Sequence, residues 1–217
     1  MVTKVKVVRD ILEVNERVAA ENRSRFDATG VRVVNLMSAP GAGKTTLLER
    51  TISSLGSSLR MGVVEGDIQG SQDAERIERA GAVAVQINTD GACHLDANMV
   101  ATAVAELDLA ALDLLVVENV GNLVCPAEFN VGEHAKAMIL SLPEGDDKPA
   151  KYPLMFHESR VLLINKMDLA PHVNADPERI ERDARTINPE IEVFRVSCVT
   201  GEGLGGWYDW LRALQGG

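Results

Sequence analysis

Lys44, Thr45 and Thr46, standing directly behind Ser38-Ala39-Pro40-Gly41-Ala42-Gly43, are residue types whose spacing can hold a chain of phosphates. Glycines at 41 and 43 let successive backbone N–H groups turn inward around a phosphate, and a helix opening at this point adds its partial positive charge. The Lys44 ammonium reaches β- and γ-phosphate oxygens, and Thr45 offers its hydroxyl to Mg²⁺. Gly41, Ala42, Gly43, Lys44, Thr45 and Thr46 are therefore the candidate phosphate-binding residues. Ser38 occupies the first position of the pattern, where glycine is usual, and a side chain this small still fits.

A second constellation, Asn165-Lys166-Met167-Asp168, follows the apolar run 161–164. A carboxylate placed at the end of a buried strand can accept from both N1–H and the exocyclic amine of guanine, a pair of donors that adenine does not present. Asp168 thus selects GTP over ATP, on the order of 10⁴-fold, because the wrong base would leave a buried carboxylate unpaired. The loop 196–203, with Ser197 at its start, closes another apolar strand and brings backbone N–H groups toward the guanine oxygen. Two further carboxylates end apolar runs. Glu118, in Val116-Val117-Glu118-Asn119-Val120-Gly121, stands where nucleotide hydrolases place an acid near Mg²⁺, and Gly121 lets the backbone approach the γ-phosphate. Asp67 ends the run 60–67 and either orients the attacking water or holds Mg²⁺; Asp73 is a more distant candidate. Lys44, Asp67 and Glu118 are the catalytic candidates, and Thr45, Asp67 and Glu118 the Mg²⁺ set. The competing role for either carboxylate is to cap the following helix.

Cys93, His94 and Cys125 carry the remaining chemistry. Both of their loops should emerge on the nucleotide edge of the sheet. Two thiolates and an imidazole suit Zn²⁺ or Ni²⁺, yet three ligands leave a four-coordinate ion incomplete, as a labile or subunit-shared site would be. Two packed cysteines beside a histidine are the alternative. Cys125 lies seven residues beyond Glu118, so nucleotide state and metal geometry share one segment. Cys198 reads as a packed small side chain, and His134 and His157 as surface or core histidines.

These residues need an α/β frame: a P-loop nucleotidase fold with a mostly parallel central sheet and helices on both faces. Apolar runs at 31–37, 60–67, 82–87, 112–118, 135–142, 161–164 and 191–196 read as strands. Helical patterns fall at 47–59, 72–80, from 94 through 107, behind the cap Asp176-Pro177-Glu178, and at the C-terminus, where Leu204, Trp207, Trp210 and Leu211 form a core face. A helix over 5–27 has Val7, Ile11, Val14 and Val18 on one stripe and is expected to pack on the sheet, making 1–217 a single GTP-binding domain with residues 1–30 as an N-terminal helix against it. The polar connection 143–153 is either a mobile segment or an inert linker. A net charge of −10 gives no general attraction to nucleic acid or to an anionic membrane. The first residues lack the apolar core of a signal peptide, and no apolar run approaches the ~20 residues of a membrane span, so a cytoplasmic protein is expected. Three cysteines make no disulfide framework.

Taken together, Ser38 to Thr45, Glu65-Gly66-Asp67, Cys93-His94-Leu95-Asp96-Ala97, Glu118-Asn119-Val120-Gly121-Asn122-Leu123-Val124-Cys125-Pro126, Glu144-Gly145-Asp146-Asp147-Lys148 with Lys151-Tyr152-Pro153, and Asn165-Lys166-Met167-Asp168-Leu169 resemble the nickel-incorporation GTPases of hydrogenase maturation, the HypB family. The likeness spans nearly the whole chain. It implies a slow GTPase that dimerises with GTP, a Ni²⁺ or Zn²⁺ site from Cys93, His94 and Cys125 at the dimer interface, and delivery of nickel to the large subunit of [NiFe] hydrogenase. A small zinc- or nickel-binding maturation chaperone is implied as a further partner. The chain lacks the Cys-rich or His-rich nickel-storage tracts of some relatives, and Glu158-Ser159-Arg160 and Val199 depart from the family's pattern around the guanine strand. A urease-type nickel accessory GTPase would carry Cys-Pro-His, whereas Ala127 follows Cys125-Pro126 here. A regulatory GTP switch with structural cysteines is the other alternative.

Overall fold

The computed structural model describes residues 7–67 and 72–216, the side chains of 7–10, 67 and 72 excepted. In chain order the principal elements are α1 (Val7–Thr29), β1 (Arg32–Ser38), α2 (Lys44–Leu55), β2 (Met61–Asp67), α3 (Gln72–Ala80), β3 (Val83–Asn88), α4 (Ala97–Val104), β4 (Leu114–Glu118), α5 (Cys125–Glu128), β5 (Ala135–Ser141), α6 (Lys148–Lys151), α7 (Pro153–Glu158), β6 (Val161–Asn165), α8 (Pro177–Ile187), β7 (Glu192–Arg195) and α9 (Leu204–Gln215).

Strands such as Leu-Leu-Val-Val-Glu (β4) and Val-Leu-Leu-Ile-Asn (β6) are buried along their whole length, as continuous apolar runs must be when helices cover both faces of a sheet. The sheet has seven strands, all parallel, in the order β3-β2-β4-β1-β5-β6-β7. The chain reverses direction across the sheet at β1, with β4 on one side and β5 on the other, which opens a crevice at the carboxyl ends of the strands. Register aligns this edge: Glu118 lies opposite Leu36 of β1 and opposite Glu65 of β2.

One face of the sheet packs on α2 and α9, joining Leu47, Leu48, Ile52 and Leu55 to Val34, Val63, Leu163, Trp207 and Leu211. The other carries two clusters. Phe26, Val64, Val100, Val104 and Leu115 lie under α1 and α4, and Met37, Met138, Phe156, Leu162 and Ile180 under α7 and α8. Among the described residues no helix is long and apolar enough to cross a membrane.

Four expectations are revised. Helix α2 opens at Lys44 rather than at 47 and ends at Leu55, with Gly56 as its C-cap, its N–H donating to Ile52 O at 2.7 Å. Helix α4 ends at Val104, short of 107, and a 3₁₀ turn over Leu109–Ala111 follows. The 143–153 connection forms helical turns instead of an open linker, because Ser141 and Glu144 make a capping box and the prolines at 149 and 153 sit in first turns. Most tellingly, α1 does not bury its apolar stripe: Ile11 and Val14 are 53% and 55% exposed, while Asn15, Ala19, Asn22 and Phe26 face inward. Asn15 Oδ1 accepts from Ala97 N (2.9 Å) and its amide donates to Asn130 O (2.8 Å), and the Asn22 amide donates to Ala97 O (2.8 Å) and Val131 O (3.1 Å). The helix is pinned by side-chain amide hydrogen bonds to backbone groups of other elements. Cys198, Trp207 and Trp210 are buried, as read from the sequence.

Candidate nucleotide and metal site

The loop between β1 and α2 is held open from inside by its neighbours. Asn165, at the end of β6, donates to Ala42 O (2.9 Å) and accepts from Cys198 N (3.1 Å), so one buried amide joins the phosphate loop to the 196–203 loop. Gly43 has φ 109°, and a Cβ there would stand 2.5 Å from the Asn165 amide nitrogen; glycine is required by this close approach. Lys166, itself left-handed at φ 63°, donates to Gly41 O at 2.9 Å. Lys44 Nζ rests on Ser38 Oγ (3.1 Å), so the residue that replaces glycine parks the phosphate lysine. Thr46 Oγ1 accepts from Arg76 (3.3 Å), whose guanidinium also pairs with Glu49 and Asp73. On the base side, Ser197 Oγ donates to Asp168 Oδ1 at 2.6 Å, fixing the carboxylate, and Met167 N donates to Val196 O.

Glu118 sits at the sheet edge, 5% exposed, with Oε1 accepting from Thr45 Oγ1 (3.1 Å) and Oε2 without a hydrogen-bond partner among the described residues. Burial pushes its carboxyl up to about 7, against the opposing pull of Lys44. A buried carboxylate with a free oxygen beside a threonine hydroxyl is a donor set that fits a hard dication. A cavity of about 180 Å³ here is lined by Pro40, Lys44, Glu65, Asp73, Glu118 and Gly121. A Cβ on Gly121 would meet the Pro40 backbone at 2.9 Å, so the loop after β4 lies against the phosphate loop. The Asp67 backbone ends β2 on this same edge; its side chain lies outside the described residues.

Cys93, His94 and Cys125 come together, each offering an atom within 4.8 Å of the others. The Cys93 thiol donates to Cys125 Sγ at 3.2 Å, and Cys93 Sγ is 3.5 Å from His94 Nδ1. Cys93 is exposed and the other two are half-buried. The His94 ring lies on Phe129 with centroids 3.8 Å apart, and burial lowers its pKa, keeping it the neutral imidazole a metal requires. The hydrogen bond with Cys93, then burial, raises the Cys125 thiol. Asn122 bridges the two loops: its amide donates to Cys93 O (3.1 Å) and its oxygen accepts from Val124 N (2.8 Å).

Sequence reasoning missed the polar scaffold behind both sites. Asn35 and Asn119 are fully buried and joined, Asn119 Nδ2 to Asn35 Oδ1 at 3.1 Å, and Asn35 donates to Glu133 (3.4 Å), which in turn accepts from Val131 N. An asparagine inside the apolar strand β1 and another directly behind β4 were the available signal, since a buried amide needs partners. His134 also has partners: Nδ1 accepts from Val33 N and Nε2 donates to Asp27, both at 3.0 Å.

The family described as CobW/HypB/UreG, nucleotide-binding domain, matches residues 32–195. Hydrogenase maturation factor HypB of Azotobacter vinelandii is 53% identical over 98% of this chain and 70% of its own length. The probable hydrogenase maturation factor HypB of Methanocaldococcus jannaschii is 42% identical over 94% of this chain and 92% of its own. The chain belongs to the HypB family. Two solved HypB structures superpose with a TM-score of 0.88: that of Archaeoglobus fulgidus, at 39% identity over 94% of this chain and 99% of the other, and that of Helicobacter pylori in complex with nickel, at 38% identity over 93% and 94%. The chain shares its fold, at 17% identity and a TM-score of 0.58, with the signal recognition particle 54 kDa protein of Aeropyrum pernix, solved with GDP. As a HypB-family member the chain is a hydrogenase maturation factor with a nucleotide-binding P-loop domain.

Proposed function

We propose that this HypB-family chain hydrolyses GTP slowly and uses the nucleotide cycle to hold and hand over nickel to the hydrogenase large subunit. The observation that carries the proposal is that residues 118–125 serve both sites: Glu118 reaches Thr45 at one end, and Cys125 reaches Cys93 at the other. A nickel-bound relative of the same fold supports nickel as the cargo. In this proposal Gly41 to Thr46 and Gly121 bind the phosphates, and Asn165, Lys166, Asp168 and Ser197 recognise guanine. Lys44 stabilises charge on the transferring phosphoryl group. Thr45 and Glu118 would hold Mg²⁺, with Asp67 a further ligand or the residue that orients water. When bound, Mg²⁺ supplies neutralisation of charge building on the β- and γ-phosphate oxygens.

Three ligands from one chain suit a second copy closing the site, which is the proposed role of GTP-dependent dimerisation; Zn²⁺ is the competing occupant. The exposed groove of about 400 Å³ lined by Ile11, Val14, Val18 and Phe129, next to His94, offers an apolar surface to a partner chaperone in the cytoplasm. The test is titration of Ni²⁺ and Zn²⁺ into protein loaded with GDP or a non-hydrolysable GTP analogue, beside a Cys93→Ala/Cys125→Ala variant. The expected result is an affinity or stoichiometry that depends on nucleotide and disappears in the variant. Equal binding by wild type and variant would remove the cysteines from metal chemistry and leave a GTP switch.

A further inference from the structure

We propose that Asn119 is the positioning residue that couples the nucleotide loop to the metal loop, an inference that rests on the function proposed above. Its side-chain oxygen accepts two backbone N–H groups at once, Leu95 N at 3.0 Å and Val120 N at 3.0 Å. Leu95 follows the ligand pair Cys93-His94. Val120 precedes Gly121, whose backbone is pressed against Pro40 of the phosphate loop. One oxygen with two lone pairs is therefore shared between the two sites, and both lone pairs are used. The amide nitrogen is anchored to Asn35 on β1, the strand that leads into the phosphate loop, and Asn119 N donates to Leu36 O of the same strand.

The residue is fully buried, where no water can replace a lost partner. When Val120 and Gly121 shift to meet a γ-phosphate, the Val120 N–H has two courses. It can turn the amide and draw Leu95 with it, or it can give up its bond and leave the oxygen to Leu95 alone. In both, the hold on the metal loop depends on what occupies the nucleotide site. Leu95 has a second link to that site: it is wholly buried, and a Cβ on Gly66, the residue before Asp67, would stand 2.7 Å from its side chain. Asn122, by contrast, ties Cys93 O to Val124 N within the metal site.

The experiment compares Ni²⁺ affinity, read from thiolate-to-nickel absorbance, with GDP and with a non-hydrolysable GTP analogue bound. Wild type is expected to show a ratio between the two states of about 5- to 150-fold, the usual span of coupling between sites. Asn119→Ala should still bind Ni²⁺ but with the ratio reduced to within about 2-fold of unity. Asn35→Ala, which removes the anchor and leaves both N–H bonds, should lose stability and keep the ratio. A wild-type ratio retained in Asn119→Ala overturns the proposal while the nickel function stands; no ratio in wild type overturns both. Amide hydrogen exchange on wild type needs no variant: the Leu95 and Val120 amides should change protection together when the nucleotide is changed, and a change at Val120 alone overturns the coupling.

Discussion

The nucleotide crevice and the metal cluster lie on one edge of one sheet and are built in opposite ways. In the crevice the binding groups are already tied to one another before any ligand is considered. Asn165 spans two loops, Ser197 holds Asp168, Lys44 rests on Ser38, and Thr45 meets Glu118. In the cluster, Cys93 is exposed, the ligands number three, and the two sulfurs meet each other, with His94 beside Cys93 and Asn122 beside Cys125. Preorganised groups lose little freedom on binding and so favour tight, selective retention. A sparse set of soft and borderline ligands with one member open to solvent favours exchange. Under the proposed function, the contrast is between a site for a resident and a site for a passenger.

The contrast is broken most severely by Lys44→Ala, which should lower phosphate release about 10²- to 10³-fold, the usual cost of deleting one charge-stabilising donor, while leaving Ni²⁺ binding by the GDP form in place. Undiminished hydrolysis would overturn the phosphate-loop assignment. Asp168→Asn should weaken GTP binding about 10²-fold by calorimetry, since the amide cannot accept from both guanine donors; unchanged affinity would move guanine recognition elsewhere. Cys125→Ala should cost at least about 10-fold in metal affinity, no less than losing a ligand's supporting neighbour does, with GDP affinity unaltered. Equal loss at both sites would erase the distinction.

The smallest effect lies at the start of β1, away from both sites. Burial lowers the His134 pKa, and protonation at Nδ1 would break the bond from Val33 N. The unfolded chain therefore takes up this proton first. The contribution is fully present above about pH 6.5 and is lost as pH falls from there toward the folded value. The Asp27 carboxyl, lowered by its bond to His134, acts only further down, below the ordinary carboxylate range. The change in urea midpoint from pH 8 to pH 5.5 should be less destabilising in His134→Gln than in wild type, the raised Glu118 carboxyl adding the same stabilisation with acid to both; an identical change in the two would remove His134 from the pH dependence.

Legibility followed the distinction between strand ends and helix faces. Strand ends were readable because a parallel sheet sends each motif to the same edge, so Lys44, Glu118 and Asp168 could be placed together from order alone. The convergence of Cys93, His94 and Cys125 followed from the same rule. Helix α1 defeated the periodicity argument, since its inward face is Asn15 and Asn22 hydrogen-bonded to backbone, and an apolar stripe does not say which side is covered. Asn35, Asn119 and Glu133 escaped for a related reason. A buried polar side chain declares itself only through partners far along the chain, 84 residues apart for Asn35 and Asn119.

Helix α9 closes over α2 through Trp207, whose indole N–H donates to Thr51 at 3.0 Å, and Trp210 stacks on Trp207 with centroids 5.4 Å apart. The chain has two tryptophans, and both belong to this stack. Ultraviolet emission from the protein thus originates against the helix that begins with Lys44, on the face of the sheet opposite α4. The molecule carries its own optical gauge of the helix that the phosphate loop opens.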